Sequence, residues 1–447
     1  MHEAVRFRSL QSYGYILRGA AGTLALRIFA AVLTLILAWS LARILGVTDY
    51  GTYTYALAWV NFLAIPACLG TDRLLVRLMA VYSAQNDWAM ARGILRWSGS
   101  LALRASIALA LIAFGICLFS SSYMNQAARQ TLLISLLALP FLVLTNLRQS
   151  ALLGMQQVLR GQLSEMIFRP LLALALLASL YFASGERLSA PVAAALNSVA
   201  SVVAFLTAGK LLKLSLPPSF KVNPSKYKTT EWTRSALPLL LVATLGIIST
   251  QTETLILGAL KGMEAVSYFT VANRGADLIP LALLILSVPL APAYARLWAA
   301  REVEELERVA RLSTYASLLL ALPVALAFIF YGQIFLSLFG PEFTQAQPTL
   351  VILSIGQLFN VMTGSLGLLL VMSGHEREVA VATVVSIIIK ILLCALLIKS
   401  RGVVGAAFAR SVSLIAWNLL LLRFVYKKLA INPTVFGKLS LEGRDGD

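Results

Sequence analysis

Residues 312–341 read LSTYASLLLALPVALAFIFYGQIFLSLFGP, a run without one Asp, Glu, Lys, Arg or His. A hydrocarbon core of about 30 Å is crossed by about 20 helical residues, so this stretch spans a bilayer with length to spare. Lipid offers no water to an open N–H or C=O, which leaves the α-helix as the conformation for such a run. Residues 105–128 and 188–209 are equally free of charge. Hydrophobic residues fill 59% of the 447 positions and charged ones 13%, about half the charged share of soluble domains. Mean hydropathy is +0.82. The chain therefore reads as an all-α polytopic membrane protein. About twelve spans are expected, near 20–42, 51–73, 98–120, 130–153, 163–184, 188–209, 235–258, 266–295, 312–338, 346–373, 378–398 and 403–426.

The net charge of +17 would point to nucleic acid in a soluble protein. Its placement gives another reading. Taking the first residues as cytoplasmic, one set of loops and ends carries 24 Lys and Arg, among them Arg6, Arg8, Arg18, Arg73, Arg92, Arg96, Lys213 and Lys228, with Lys438 and Arg444 at the far end. The opposite set holds Arg43, Arg129, Arg187, Lys261, Lys399 and Arg401. That asymmetry places both termini in the cytoplasm and makes the basic loops a topology signal, with no nucleic-acid partner expected. Cys68, Cys117 and Cys394 fall within expected spans, a placement that suits apolar packing and forms neither a disulfide framework nor a metal site. No removable signal peptide is expected from the N-terminal residues, which lack a short apolar segment followed by a small-residue cleavage site.

The longest polar stretch, 210–234, contains Pro217, Pro218 and Pro224. It divides the chain into an N-terminal lobe (1–209), a cytoplasmic linker (210–234), a C-terminal lobe (235–430) and a tail (431–447). A second stretch, 73–96, mixes apolar and basic residues and is expected along the membrane surface. The two six-helix halves look related. Gly46-Val-Thr-Asp-Tyr-Gly51 follows the first expected helix, and Gly262-Met-Glu-Ala-Val-Ser267 follows the seventh in register. Leu153-Gly154-Met155 and Ser373-Gly374-His375 close the fourth helix of each half. An even number of helices per half makes this a parallel repeat, an arrangement common in transporters.

Leu41-Ala-Arg43-Ile-Leu-Gly46-Val-Thr-Asp49-Tyr50-Gly51 resembles the "ARxLGxxxYG" segment of bacterial oligosaccharide flippases of the O-antigen, Wzx-like type. These belong to a superfamily shared with multidrug/toxin exporters and the lipid II flippase. Three further stretches agree in order and spacing: Ala151 to Pro170, Val271 to Leu278, and Met372 to Arg377 with Gly402 to Ala407. Ser267 departs from the repeat, where Gly is often found. The resemblance implies a V-shaped bundle of two lobes working by alternating access. It also implies an undecaprenyl-diphosphate-linked oligosaccharide as cargo, surface polysaccharide (O-antigen, capsule or exopolysaccharide) as the product, polymerase and assembly proteins as partners, and the bacterial inner membrane as the location. The alternative is a cation- or proton-coupled drug exporter of the same superfamily.

Charges inside spans are the sharpest functional signal, since each costs roughly 2.5–3.5 kcal/mol to insert. The cations are Arg27, Arg104, Arg148, Arg169, Arg274, Lys390 and Arg410; the acids are Glu165, Glu253 and Asp277. An excess of cations suits an anionic cargo, and the planar fork of Arg can bind phosphate oxygens in pairs. Arg27, Arg148, Arg274, Arg410 and Lys390 are the candidate lining of a cationic cavity. The competing reading is structural: Glu165 with Arg169 and Arg274 with Asp277 can pair along one helix face, and Arg104 and Arg410 can snorkel. Glu253, in a Ser/Thr/Gln-rich turn, can carry a coupling proton or Na⁺ together with Asp277 and Glu165, or can serve a helix-to-helix hydrogen-bond cluster. Pro280, Pro289 and Pro292 mark a candidate hinge in the eighth helix. Two His, no large external loop and no P-loop glycine motif argue against an enzyme, and no cofactor or metal is expected.

Overall fold

A computed structural model of the protein describes residues 2–119, 125–185, 188–222 and 224–436. Arg187, Lys438 and Arg444, counted in the charge asymmetry, lie outside the described residues, as do the side chains of Arg6, Arg8, Arg18 and Lys221. Packing divides the chain into two compact units, residues 22–267 and residues 268–447 with 1–21.

The first unit is built from α1 (His2–Cys68, from Gly22 onward), α2 (Thr71–Ala84), α3 (Trp88–Phe119), α4 (Gln126–Leu136) and α5 (Leu139–Gly154). It continues through α6 (Val158–Leu163), a π-helical turn (Ser164–Phe168), α7 (Arg169–Ser184), α8 (Ala190–Ser215), α9 (Ser219–Val222) and α10 (Thr229–Lys261). The second unit takes most of α11 (Met263–Ala276), then α12 (Leu281–Ala299), α13 (Val303–Phe339), a 3-10 turn (Pro341–Ala346), α14 (Gln347–Thr363), α15 (Leu366–Met372) and α16 (Glu376–Leu429). Among the described residues every element is helical, and nine helices are long and apolar enough to cross a membrane, ten if the bent α11–α12 pair is one span. Two of the nine run 44 and 54 residues. Both are broken at a glycine, Gly46 in α1 and Gly402 in α16.

The repeat noticed in the sequence has a backbone signature. Gly46 has φ 76° and ψ 178°, and Gly262 has φ 83° and ψ −176°. This region of φ/ψ space is essentially closed to residues with a Cβ, so both turns depend on the same glycine at the same repeat position. The turns also meet. A Cβ on Gly51 would lie 1.8 Å from the Met263 carbonyl oxygen and 3.3 Å from the Ser267 Cβ, and one on Gly258 would lie 2.2 Å from the Tyr55 ring. Thr48 Oγ1 donates to Glu264 Oε1 at 3.1 Å along the same seam. Replacing Gly46 or Gly262 by Ala is expected to cost about 1–3 kcal/mol, read as a lower unfolding midpoint in detergent. Unchanged midpoints for both would remove the conformational requirement.

The core of the first unit centres on Leu74, Leu75, Met79, Ile94, Leu139 and Val143. The segment 73–96 is divided between two helices. Leu74, Leu75 and Met79 are fully buried, so α2 packs into the bundle, and from Trp88 the chain has already entered α3, ten residues before the expected start at 98. The expected eighth helix is corrected. It breaks at residues 277–280, with a 50° bend, and Pro280 caps α12, while Pro289 and Pro292 sit inside α12 without a break. The expected linker 210–234 contains the ends of both flanking helices, since α8 runs to Ser215 and α10 begins at Thr229. Cys68, Cys117 and Cys394 are free and buried, each in a helix.

Candidate functional site

In the second unit, polar residues from three helices, α11, α14 and α16, join at the break after α11. The helical ladder lapses after Ala276, so Asp277 is presented at the bend rather than along a continuous helix face. Its Oδ1 accepts from Gln357 Nε2 at 3.3 Å and from Arg410 Nη2 at 3.5 Å, and its Oδ2 accepts from Asn273 Nδ2 at 2.9 Å. The network continues into the bundle. Asn360 Nδ2 donates to Gln357 Oε1 at 3.5 Å, Asn418 Nδ2 donates to Asn360 Oδ1 at 3.0 Å, and Thr363 Oγ1 donates to Asn418 Oδ1 at 2.9 Å. Asn418 is fully buried and Arg410 and Asp277 keep side-chain exposures of 21% and 44%. One end of the chain is thus charged and accessible, the other neutral and enclosed. Such a chain gains strength from low dielectric when every member is satisfied.

This arrangement settles the choice that spacing left open for Asp277: its ion pair is with Arg410 of α16, and not with Arg274, three residues away on its own helix. Arg274 itself is exposed. The polar ladder of Gln357, Asn360 and Thr363 was not singled out from the sequence. Its signal was available as a spacing of three within an otherwise apolar span.

In the first unit, Arg169 donates to Glu165, as the four-residue spacing predicts, and reaches Asn197 Oδ1 at 3.4 Å. The π-helical turn at Ser164–Phe168 positions this pair. Pro170 has no N–H to give to the carbonyl four residues back, so the ladder widens just before it. Arg148 lies elsewhere, on α5. Its Nη1 donates to the Phe205 carbonyl, and its guanidinium carbon stands 3.6 Å from the Phe205 ring centroid. Lys390 and Glu253 are the deeply buried charges among the candidates, at 7% and 0% exposure, and Arg27 is exposed on α1. Arg104 turns its Nε to the Ser100 carbonyl at 3.1 Å and stays exposed, as a snorkelling residue does.

A further buried cation is Arg311, one of the 24 on the cation-rich side, which directly precedes the expected span at 312–338. Arg311 lies within α13, paired with Glu307, and donates through Nε and Nη2 to the Asn432 carbonyl at 3.3 and 3.2 Å. Tyr315 donates to the Val435 carbonyl at 2.9 Å. Together they hold the segment after α16 against α13. No group of three or more His, Cys, Asp or Glu suited to a metal is found among the described residues.

Comparison with known proteins agrees with this all-helical transporter architecture. A family profile described as "Polysaccharide biosynthesis protein" matches residues 16–298, and the MatE profile matches residues 238–396. A probable low-salt glycan biosynthesis flippase, Agl15 of Haloferax volcanii, is 32% identical over 118 residues, a match spanning 26% of this chain and 25% of the relative. Among solved structures, an inward-facing multidrug resistance MATE family transporter aligns with a TM-score of 0.70 at 14% identity over 90% of this chain and 98% of its own. The lipid II flippase MurJ, in an inward closed conformation, aligns with a TM-score of 0.69 at 16% identity over 90% of this chain and 86% of its own. At those identities the two structures speak to fold alone. The first profile covers well over half of the sequence, and on that ground the chain belongs to the polysaccharide biosynthesis protein family, within the superfamily of multidrug, oligosaccharidyl-lipid and polysaccharide exporters.

Proposed function

We propose that the protein flips undecaprenyl-diphosphate-linked oligosaccharide across the bacterial cytoplasmic membrane by alternating access, supplying surface polysaccharide assembly such as O-antigen, capsule or exopolysaccharide. In this reading each arm of the two glycine-broken helices crosses once and the bent α11–α12 pair crosses once. That makes twelve crossings in two six-helix lobes, 1–209 and 235–430, with both termini cytoplasmic. The observation that carries the reading is the excess of cations over acids inside the apolar helices of a chain from this family. Arg27, Arg148, Arg274, Arg410 and Lys390 neutralise the diphosphate while the sugar crosses, and the isoprenoid tail stays in the bilayer. A polymerase that consumes the flipped oligosaccharide is the expected partner.

The test is deletion of the gene followed by complementation. Loss of the protein leaves lipid-linked oligosaccharide on the cytoplasmic leaflet, the wild type clears it, and Arg27→Gln, Arg148→Gln, Arg274→Gln and Arg410→Gln reach the membrane yet fail to clear it. Clearance by all four variants would refute the cationic path. A cation- or proton-coupled multidrug exporter is the second reading, favoured by the MatE match over 238–396 and by the accessible carboxylate of Asp277. It predicts efflux of a cationic dye that fails in Asp277→Asn, with lipid-linked sugars unaffected by the deletion.

A further inference from the structure

Away from the Asp277 network, the first unit contains a cavity of about 360 Å³ between α3, α5 and α8. Four of its twelve lining residues are cations, Arg92 and Arg96 from α3, Arg148 from α5 and Lys213 from α8, and none is an acid. Most of the remainder is leucine and phenylalanine. Like charges gathered around one space repel each other, so such a cluster gains when an anion enters. The sequence makes room for this one. A Cβ at Gly209 would stand 2.7 Å from Arg148 Nη1, so the guanidinium occupies the place of an absent side chain, while a Cβ at Gly99 would meet nothing within 4 Å. Arg148 is further fixed by the Phe205 ring and carbonyl, and Arg96 by a 3.1 Å bond to Ser225 Oγ. Lys213 and Arg96 stay exposed at the mouth.

The cavity lies where α3 begins and α8 ends, against the middle of α5. Arg92, Arg96 and Lys213 lie near the ends of α3 and α8 that adjoin the cation-rich loops, the side that positive-inside topology gives to the cytoplasm. A basic pocket with apolar walls between helices on that side has the chemistry of an anionic lipid headgroup site: phosphate oxygens for the guanidinium forks and acyl chains along the leucines. We propose that this cavity binds the phosphate headgroup of an anionic glycerophospholipid from the cytoplasmic leaflet through Arg92, Arg96, Lys213 and Arg148, the last being the one cation it shares with the cargo path proposed above.

The full-length protein, purified in a neutral detergent, is titrated with phosphatidylglycerol, with phosphatidylcholine of the same acyl chains, and with inorganic phosphate, while bound lipid is counted by native mass spectrometry and the unfolding midpoint is followed. The expected result is retention and stabilisation by phosphatidylglycerol alone. Affinity should fall roughly tenfold or more in Arg96→Gln/Lys213→Gln, as surface cations each contribute severalfold. These two side chains are exposed, so their double variant should unfold at the wild-type midpoint without lipid; Arg148→Gln, which is partly enclosed, serves as the second probe. Equal protection by phosphatidylcholine, equal protection by inorganic phosphate at matched concentration, or wild-type phosphatidylglycerol binding in both variants would each overturn the proposal.

Discussion

Gly258→Ala is expected to destabilise the protein by about 3 kcal/mol or more, and Tyr55→Ala in the same chain is expected to restore much of the loss. The new Cβ would lie 2.2 Å from the Tyr55 ring, well inside van der Waals contact, and overpacking of this kind costs about 1–3 kcal/mol, occasionally more. Tyr55 is buried and meets Trp59 edge to face at 6.4 Å between ring centroids, a contact that a shift of the ring would disturb. Gly51→Ala should be worse. Its Cβ would sit 1.8 Å from a backbone oxygen, Met263 O, and no side-chain truncation can relieve a clash with backbone. The rescue by Tyr55→Ala should therefore fail for Gly51→Ala. Gly246, where a Cβ meets nothing within 4 Å, is the control: its Ala variant should be neutral or gain up to about 1 kcal/mol from helix propensity. Unfolding midpoints in detergent for the five variants decide the matter. Equal stability of the Gly258, Gly51 and Gly246 variants would mean that the two repeat turns do not pack as closely as described.

That seam shows how the sequence was legible and where it stopped. Gly46 and Gly262 were readable as a repeat because a turn that only glycine can adopt leaves a glycine behind in each copy. The departure at Ser267 becomes intelligible in the fold. Gly51 gives up its side chain to the close approach, and Ser267, fully buried, fills the opposite side. Two copies of glycine there would leave a gap. Span existence was likewise legible, because twenty apolar residues in a row have one solution in lipid. Span ends were not, since α2 is an amphipathic stretch whose apolar side packs on protein, and periodicity alone does not distinguish that from packing on headgroups.

Charge pairing was legible only where it is local. Glu165 with Arg169 follows from four-residue spacing. Arg410 with Asp277 joins residues 133 positions apart, and no property of either segment names the other. The burial of Arg311 was not legible for a related reason: it directly precedes the expected span at 312–338, yet α13 extends past the membrane-length apolar run and carries it inward to the Asn432 carbonyl. In each case the missing information is which helix faces which, a property of tertiary packing that amino-acid order encodes only diffusely.

The second large effect is expected at Asp277. Asp277→Ala removes an acceptor that serves three donors, Asn273 Nδ2, Gln357 Nε2 and Arg410 Nη2, and Gln357 is buried with little access to water. A hydrogen bond to a charged group contributes about 1.5–3 kcal/mol, and an abandoned buried donor costs about 1–3 kcal/mol. Breaking a fully buried ion pair costs about 3–5 kcal/mol, but this pair is partly exposed, so a loss of about 2–4 kcal/mol is expected. Arg410→Ala should cost less, because Asp277 keeps its two amide donors and can reach water. Removing both charges should then be milder than the sum of the single losses by at least about 1 kcal/mol. Asp277→Asn separates charge from hydrogen bonding: it retains one acceptor oxygen, presents an amide toward Asn273 or Arg410, and should fall between wild type and Ala. Reversible unfolding in mixed micelles gives all four numbers. Additive single losses would show that Asp277 and Arg410 are neighbours without energetic coupling, and the bend after α11 would then have to be held by the Gln357 and Asn273 bonds alone.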